Sequence, residues 1–257
     1  MPSDDIAQFL ANSPERLALL ASLSQGSTSP SELGTEHEAS RRSIQRNLAE
    51  FVEREWVESD GGTYSLTVTG ELVAEKHGAY IETLDLIDEF ALFFRYLPDI
   101  EHAPETAWLN DSTITVATEE DPQAPVHRYV TSVKQLETDR IQMLSPVLSR
   151  LFHEAHAKLA LRKVHTELIM PAPMVGEARE RNALEFEAII RLDLFELYSL
   201  PGGFNVGLTL GDDELLMAAY DDVGQLRALV ESREPEFYAW ASDLFEQYRE
   251  NAELVTS

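Results

Sequence analysis

The side chains whose types and spacing could do chemistry are the arginines of one short stretch in the N-terminal third. Before residue 76 the chain carries five arginines, and three of them, Arg41, Arg42 and Arg46, fall within six positions. The same segment carries thirteen acidic residues, so the three arginines form a positive cluster in an otherwise acidic segment. A guanidinium stays charged and can form paired hydrogen bonds with guanine, and the amide of Gln45 can pair with adenine. The pattern predicts a surface that contacts double-stranded DNA; a solvated basic face without a partner is the alternative.

The stretch from Ser40 to Trp56 must position these side chains, and its pattern predicts a single amphipathic helix. Its apolar positions recur with a period of 3.6 residues and form one stripe: Ile44, Leu48, Phe51 and Val52. Arg42 and Arg46 fall almost opposite this stripe. One face of the helix is therefore expected to pack and the other to point outward.

The neighbouring segments predict further helices and a hairpin. The expected elements are three helices followed by two strands, over residues 14–23, 29–38, 40–56, 57–59 and 63–67. Ser29-Pro30-Ser31-Glu32 is a capping box with proline in the first turn, and Ser40 can cap the third helix. This order is that of a winged helix-turn-helix domain, whose third helix enters the major groove. A helical hairpin followed by an unrelated β-hairpin is the alternative.

DNA contacts are expected from the third helix and from the hairpin, which would be the wing. The expected residues are Ser40, Arg41, Arg42, Ser43, Gln45, Arg46, Gly61, Gly62, Thr63 and Tyr64. Arg42, Gln45 and Arg46 are expected to contact bases, with Arg41 and Ser43 on the phosphate backbone. The two glycines would let the wing approach the DNA, where Thr63 and Tyr64 could donate to phosphate oxygens.

Residues 69–98 are the segment that connects the N-terminal domain to the rest of the chain, and one long helix is predicted from Thr69 to about Leu97. Positions from Val73 to Phe94 alternate in steps of four and three and are apolar except for His77, which is a heptad-like seam. A homodimer interface is expected on this seam, with contacts from Tyr80, Leu84, Ile87, Ala91 and Phe94. The alternative is a helix buried within one chain. A dimer is favoured because one recognition helix contacts few base pairs, and two-fold dimers on palindromic operators extend the contact.

From residue 99 to residue 257 strand and helix runs alternate, which predicts an α/β sandwich. The expected architecture is thus a winged helix-turn-helix over 1–68, a connecting helix over 69–98 and an α/β effector-sensing domain over 99–257. Open α/β sheets bind ligands beyond the carboxyl ends of their strands, where small-molecule contacts are expected from Thr118, Ser145 and Ser199. Ser145 is also predicted to cap a helix from Pro146 through Lys163, and capping alone is its alternative role.

The composition is strongly acidic, with 46 Asp and Glu against 20 Lys and Arg and a formal net charge of −26. It resembles that of proteins from salt-accumulating halophilic archaea; an ordinary acidic cytosolic protein is the alternative. The chain has no cysteine, which excludes disulfides and thiolate metal sites. There is no basic leader before the first apolar run and no window of about 18 uncharged apolar residues, so a cytoplasmic protein without a membrane segment is expected.

Several segments together resemble a known family. They are the arginine-bearing helix, Tyr64-Ser65-Leu66-Thr67-Val68-Thr69-Gly70, Asp121-Pro122-Gln123-Ala124-Pro125 and Ser145-Pro146-Val147. They are similar to segments of the archaeal winged-helix regulators related to the methanogenesis regulatory proteins, which are numerous in haloarchaea. The resemblance covers nearly the whole chain. It implies a transcriptional regulator with a C-terminal domain akin to the phospholipase-D-like sensor domains of TrmB-type sugar regulators, and it assigns no ligand residue.

One motif would instead fit an enzyme. His156-Ala157-Lys158 has the His-x-Lys core of phospholipase-D-type phosphodiesterases, in which histidine is the nucleophile and lysine neutralises phosphate. Those enzymes also need an aspartate five residues after the lysine, and Lys163 occupies that position here. No catalytic residue, metal site or cofactor is therefore expected, and His153 and His156 are expected on a helix surface. A phosphodiesterase-like hydrolase with an accessory winged helix and a winged-helix module that binds protein are the alternatives.

Overall fold

The computed structural model describes residues 3–37 and 39–256. Contacts divide the chain into two compact units, Met1–Asp85 and Leu86–Ser257. The elements of the first unit are α1 (Ser3–Ala11), α2 (Pro14–Ser24), α3 (Pro30–Glu36), α4 (Arg41–Glu53), β1 (Val57–Asp60), β2 (Thr63–Leu66) and most of α5 (Val68–Glu89). From α2 onward this is the predicted winged helix-turn-helix order. Helix α1 was not predicted, and the expected helix end near Glu38 lies outside the described residues.

The helix starts of the first unit are set by local hydrogen bonds. The Ser29 hydroxyl accepts from the backbone N–H of Glu32 while the Glu32 carboxylate accepts from the Ser29 N–H, which completes the predicted capping box. The Ser40 hydroxyl accepts from the Ser43 N–H and caps α4, also as predicted. Ser13 precedes α2 but makes no side-chain cap bond. A single antiparallel β-bridge joins Thr28 to Tyr64 of the hairpin formed by β1 and β2.

The core of the first unit is formed by apolar side chains from α1, α2, α3, α4 and β1. Its buried residues are Phe9, Leu10, Leu19, Leu20, Leu23, Leu33, Ile44, Leu48, Phe51, Trp56 and Val57. The start of α5 lies directly against this core at Gly70. A Cβ there would lie 1.9 Å from the carbonyl oxygen of Trp56, so this helix turn requires glycine.

The second unit is built on one eight-stranded mixed sheet. Its elements are the end of α5, α6 (Ala91–Arg95), β3 (Thr113–Val116), α7 (Ala124–Gln135), β4 (Arg140–Leu144), α8 (Arg150–Leu161), β5 (His165–Pro171), α9 (Ala172–Arg181), α10 (Ala183–Ile190), β6 (Phe195–Leu200), β7 (Val206–Leu210), β8 (Leu215–Tyr220), β9 (Leu226–Ser232), α11 (Pro235–Glu250) and β10 (Glu253–Leu254). The strand order is β10-β6-β5-β4-β7-β8-β9-β3, with β4, β5 and β6 parallel to one another. Short 3₁₀ turns at Ile100–His102 and Thr106–Leu109 precede β3.

Helices cover both faces of this sheet, which confirms the predicted α/β sandwich. On one face Phe90 and Phe93, around α6, pack with Phe237 and Phe245 of α11 against strand residues such as Val206. On the other face α7 and α8 supply a second core that includes Tyr129, Phe152 and Leu159. A smaller cluster under α9 and α10 completes the unit.

The end of the long connecting helix differs from the sequence prediction. The long helix expected to run to about Leu97 is interrupted at Phe90, where the backbone leaves helical geometry between α5 and α6. Phe90 and Phe93 are both buried in the core of the second unit, so the chain turns to place them. Among the described residues no helix is both long and apolar enough to cross a membrane.

Candidate nucleic-acid interface

Helix α4, which corresponds to the predicted recognition helix and is called so below, presents the predicted basic face outward. Arg41, Arg42, Gln45 and Arg46 are exposed, whereas Ile44, Leu48 and Phe51 are fully buried. The buried sector differs in one respect from the predicted stripe. Val52 is 40% exposed and the polar Asn47 is fully buried instead. Arg42 and Arg46 lie four positions apart and therefore project from the same side of the helix.

The arginines of the first unit fall into two groups. Within the described part of the chain no ion pair or hydrogen bond engages the side chains of Arg41, Arg42 and Arg46. By contrast, the guanidiniums of Arg16 and Arg54 lie 3.8 Å and 3.9 Å from the ring centroid of Phe9. Arg16 also pairs with Glu50 at 3.0 Å. The exposed trio is thus the part of the basic charge that remains available to a polyanion.

Two serines at the start of the recognition helix have different surroundings. Ser40 is exposed, and its hydroxyl oxygen caps the helix. The Ser43 hydroxyl donates to Oε2 of Glu15 on α2 at 2.5 Å. The only hydroxyl proton of Ser43 is therefore donated within the protein. The expected donation from Ser43 to a DNA phosphate does not fit this arrangement.

The wing has an open glycine tip between acidic flanks. Gly61 and Gly62 have φ values of +58° and +92°, as a tight hairpin turn with two left-handed residues requires. A Cβ on either glycine would meet nothing within 4 Å, so the tip is open. Glu58 and Asp60 are exposed beside it.

The two wing hydroxyl residues are held by the domain itself. The Thr63 hydroxyl donates to the carbonyl oxygen of Asp60 at 2.7 Å, which occupies the donor that was expected to reach phosphate. Tyr64 is half-buried, packs against the core of the first unit and pairs with Thr28. The backbone of Gly61 and Gly62 is thus the part of the wing best placed for close approach to a ligand.

The predicted dimer seam is exposed over most of its length. Tyr80 is 56% exposed, and Leu84 and Ile87 are each 42% exposed. Ala91, at the start of α6, is also exposed. Phe94 is half-buried and packs against the core of the second unit, so it belongs mainly to that core.

The three expected ligand residues of the second unit are not brought together. Thr118 follows the edge strand β3, while Ser145 follows β4, and β9, β8 and β7 lie between those strands. Ser199 lies within β6, beside the edge strand β10, and β5 separates β6 from β4. No common site of these three side chains is formed.

The prediction that Ser145 caps a helix is wrong. Its N–H donates to the carbonyl oxygen of Ile169, which keeps the chain extended beside β5, and its hydroxyl donates to the carbonyl oxygen of Val147. Helix α8 begins at Arg150, where the hydroxyl of the preceding Ser149 accepts from the Phe152 N–H. A cleft of about 750 Å³ opens beside this helix start, with Arg150, Arg181 and Asn182 in its lining.

The His-x-Lys motif lies on α8 and has a structural role. His156 is half-buried, not on the surface as expected, and its Nε2 lies 3.0 Å from the hydroxyl of Tyr129, which also bonds Thr209 at 2.9 Å. Burial raises the pKa of Tyr129, so this hydroxyl keeps its proton. Lys158 is exposed, and residues two apart on a helix point in nearly opposite directions. The two side chains therefore cannot act on one phosphate.

Metal binding finds no support in the described residues. They contain no group of three or more His, Asp and Glu side chains placed to hold an ion. The His153 side chain lies outside the described part of the chain.

A winged helix-turn-helix unit with an outward basic helix, followed by an α/β unit, is the architecture of a DNA-binding transcription regulator. Residues 122–251 match the family model of the methanogenesis regulatory protein FilR1, middle domain, and residues 4–89 match that of the HVO_A0261 N-terminal domain. The chain belongs to the FilR1 family of regulatory proteins. No curated protein matches it.

Solved structures with a similar chain course include one over nearly the full length. TrmBL2, described as an archaeal chromatin protein, is 14% identical, with 98% of this chain and 100% of that chain covered and a TM-score of 0.44. Nuc from Salmonella typhimurium, described as a phospholipase D family member, is 10% identical and covers 57% of this chain and 100% of its own, with a TM-score of 0.46. NucT from Helicobacter pylori is 10% identical over 55% of this chain and 97% of its own, with a TM-score of 0.44.

Proposed function

We propose that the protein is a sequence-specific DNA-binding transcriptional regulator that acts as a homodimer on a palindromic operator. Its second unit would sense a small molecule. The observation that carries the proposal is the exposed face of α4 in a winged helix-turn-helix. There, three arginines without ion-pair partners among the described residues stand beside Gln45. Membership of a regulatory family supports the same conclusion.

The proposed DNA contacts fall into two groups, contacts to bases and contacts to phosphates. Arg42, Gln45 and Arg46 share one side of the recognition helix and would contact base edges in the major groove, arginine with guanine and glutamine with adenine. Arg41 and the backbone of the wing tip at Gly61 and Gly62 would contact phosphates. Ser43 and Thr63 are left out because their hydroxyl protons are donated within the domain, and Tyr64 is left out because its side chain is half-buried against the core.

Selection from random double-stranded DNA in molar KCl tests the proposal. The wild-type protein should enrich one palindromic motif, and a variant with Arg42→Ala and Arg46→Ala should not, because removing one arginine–guanine pair costs about 1–3 kcal/mol of binding free energy. A matched control removes two exposed cations, Lys158 in the last turn of α8 and Arg162 directly after it, through Lys158→Ala and Arg162→Ala and should enrich the wild-type motif. Enrichment of that motif by the Arg42/Arg46 variant would contradict the proposal.

The homodimer would form along α5. The exposed apolar side chains Tyr80, Leu84 and Ile87 recur at helical spacing on this element and leave water when two copies pair. Two recognition helices related by a two-fold axis would then contact the two halves of a palindrome.

The sensing site would be the cleft lined by the N-terminus of α8 and by the junction of α9 with α10. Arg150 and Arg181 line it, so the expected effector is a small carboxylate or phosphate compound. Each guanidinium is paired with a glutamate of its own helix, at 3.0 Å for Arg150 and Glu154 and 2.5 Å for Arg181 and Glu177. The effector would replace these exposed pairs, which contribute little to stability.

The acidic wing favours a second candidate, a winged-helix module that binds protein. Glu58 and Asp60 would repel phosphates, and they would attract a basic partner. The DNA selection separates the two functions, because an interaction module would enrich no motif.

A further inference from the structure

Helix α2 is hydrogen-bonded to the recognition helix through one carboxylate, that of Glu15. Oε2 of Glu15 accepts the hydroxyl hydrogen of Ser43 at 2.5 Å and an amide hydrogen of Asn47 at 3.0 Å. Both donors belong to α4, one helical turn apart. Asn47 is fully buried and Glu15 is half-buried, so these bonds are shielded from competing water.

A second contact continues the network to α1 and to the later part of α4. Nε of Arg16 donates to Oδ1 of Asn47 at 3.3 Å, and its terminal nitrogens donate to Glu50 at 3.0 Å and to the carbonyl oxygen of Phe9 at 2.5 Å. The side chain of Asn47 thus donates to Glu15 and accepts from Arg16. The recognition helix is tied to its neighbours at residues 43, 47 and 50.

These bonds constrain the helix in a way that its apolar contacts do not. Burial of Ile44, Leu48 and Phe51 is favourable but non-directional, so it tolerates a small rotation or slide of α4. Hydrogen bonds weaken steeply with angle, and two of them converge on one oxygen from successive turns. Together they set both the rotation and the axial position of the helix. Arg42 and Arg46 precede Ser43 and Asn47 by one residue each, so the same bonds set the direction of the two arginines.

We infer that Glu15 and Asn47 are a positioning pair that determines how sharply the protein distinguishes its operator from other DNA. The inference rests on the proposed function. Neither residue touches DNA; they act by holding Arg42 and Arg46 in line with the base edges. Bidentate pairing of arginine with guanine needs a fixed approach, whereas a phosphate contact tolerates a shifted helix. Loss of the pair should therefore reduce specific binding more than non-specific binding.

The test measures the affinity for the selected operator and for a scrambled duplex of equal length, both in the same molar KCl. Glu15→Ala should lower the ratio of the two affinities about tenfold, the effect of roughly one charge-assisted hydrogen bond. Glu15→Gln keeps an acceptor oxygen and should stay within about threefold of wild type. Ser43→Ala removes one donor without disturbing the core and should lower the ratio about threefold, which keeps the test decisive if Glu15→Ala does not fold.

A core variant separates positioning from stability. Val57→Ala weakens the same domain at a buried strand residue that takes part in none of these bonds, and it should lower the melting temperature while leaving the affinity ratio unchanged. The inference is overturned if Glu15→Ala and Ser43→Ala lower only the melting temperature, as Val57→Ala does, while the wild type still selects an operator. A wild-type protein that selects no motif overturns the proposed function and this inference together.

Discussion

The salt dependence of DNA binding separates arginines that neutralise phosphates from arginines that contact bases. Each neutralised phosphate contributes about −0.9 to the slope of log K against log salt concentration. If only Arg41 of each protomer contacts a phosphate, a dimer neutralises two and the slope is about −1.8. If Arg41, Arg42 and Arg46 all contact phosphates, six are neutralised and the slope is about −5.4. We expect the shallow slope.

The assay is fluorescence anisotropy of a labelled operator between about 0.5 and 2 M KCl, where the Debye length is already only a few ångströms. Arg41→Ala should bring the slope close to zero. Arg46→Ala should keep the wild-type slope and weaken binding by about 1–3 kcal/mol at every salt concentration. A wild-type slope near −5, or an equal loss of slope in both variants, would refute the division of roles between these arginines.

Three further predictions concern the dimer, the effector and the second core. Leu84→Asp should convert a sedimenting dimer to monomer, whereas Val68→Asp, at a 74% exposed position off the seam, should leave the dimer intact; a dimer in both variants would exclude the seam. Arg181→Ala should abolish the rise in melting temperature that a small carboxylate or phosphate effector gives the wild type, and a retained rise would place the effector elsewhere. Tyr129→Phe should lower the free energy of unfolding by about 1 kcal/mol in urea, because its bond to Thr209 is removed, and unchanged stability would contradict that role. Burial raises the pKa of Tyr129 above its value in the unfolded chain. The neutral hydroxyl therefore stabilises the fold below the unfolded pKa of about 10, and this stabilisation is lost as the pH rises further. The Phe variant should thus lose less stability than wild type in alkali.

Sequence patterns predicted the first unit well where the signals are local. The capping box at Ser29 and the cap at Ser40 involve atoms three residues apart, so the sequence nearly specifies them. Helix α1 was missed because its stability depends on tertiary contact. Phe9 and Leu10 are buried only because α2, α4 and β1 enclose them.

The errors in the second unit have the same origin. A Ser-Pro pair after a strand is a normal helix start, yet the bond from the Ser145 N–H to Ile169 prolongs the extended chain and delays α8 to Arg150. The heptad-like pattern predicted a continuous helix through Phe94, but the core of the second unit takes in Phe90 and Phe93 and breaks it. In both cases a partner distant in the sequence overrides a local preference.

The recognition helix carries a local inconsistency of the kind that points to function. The predicted apolar stripe includes Val52 and leaves out Asn47. In the structure Val52 is 40% exposed, whereas Asn47 is fully buried. Burial of an amide is costly unless every bond is made, so an apolar residue at position 47 would be the simpler choice for stability. Here Glu15 and Arg16 satisfy the amide from both ends. Before residue 76, where thirteen acidic residues outnumber five basic ones, general attraction to DNA is weak. Affinity must then come from a few well-directed contacts, and a polar anchor that fixes the helix serves that need better than apolar packing alone.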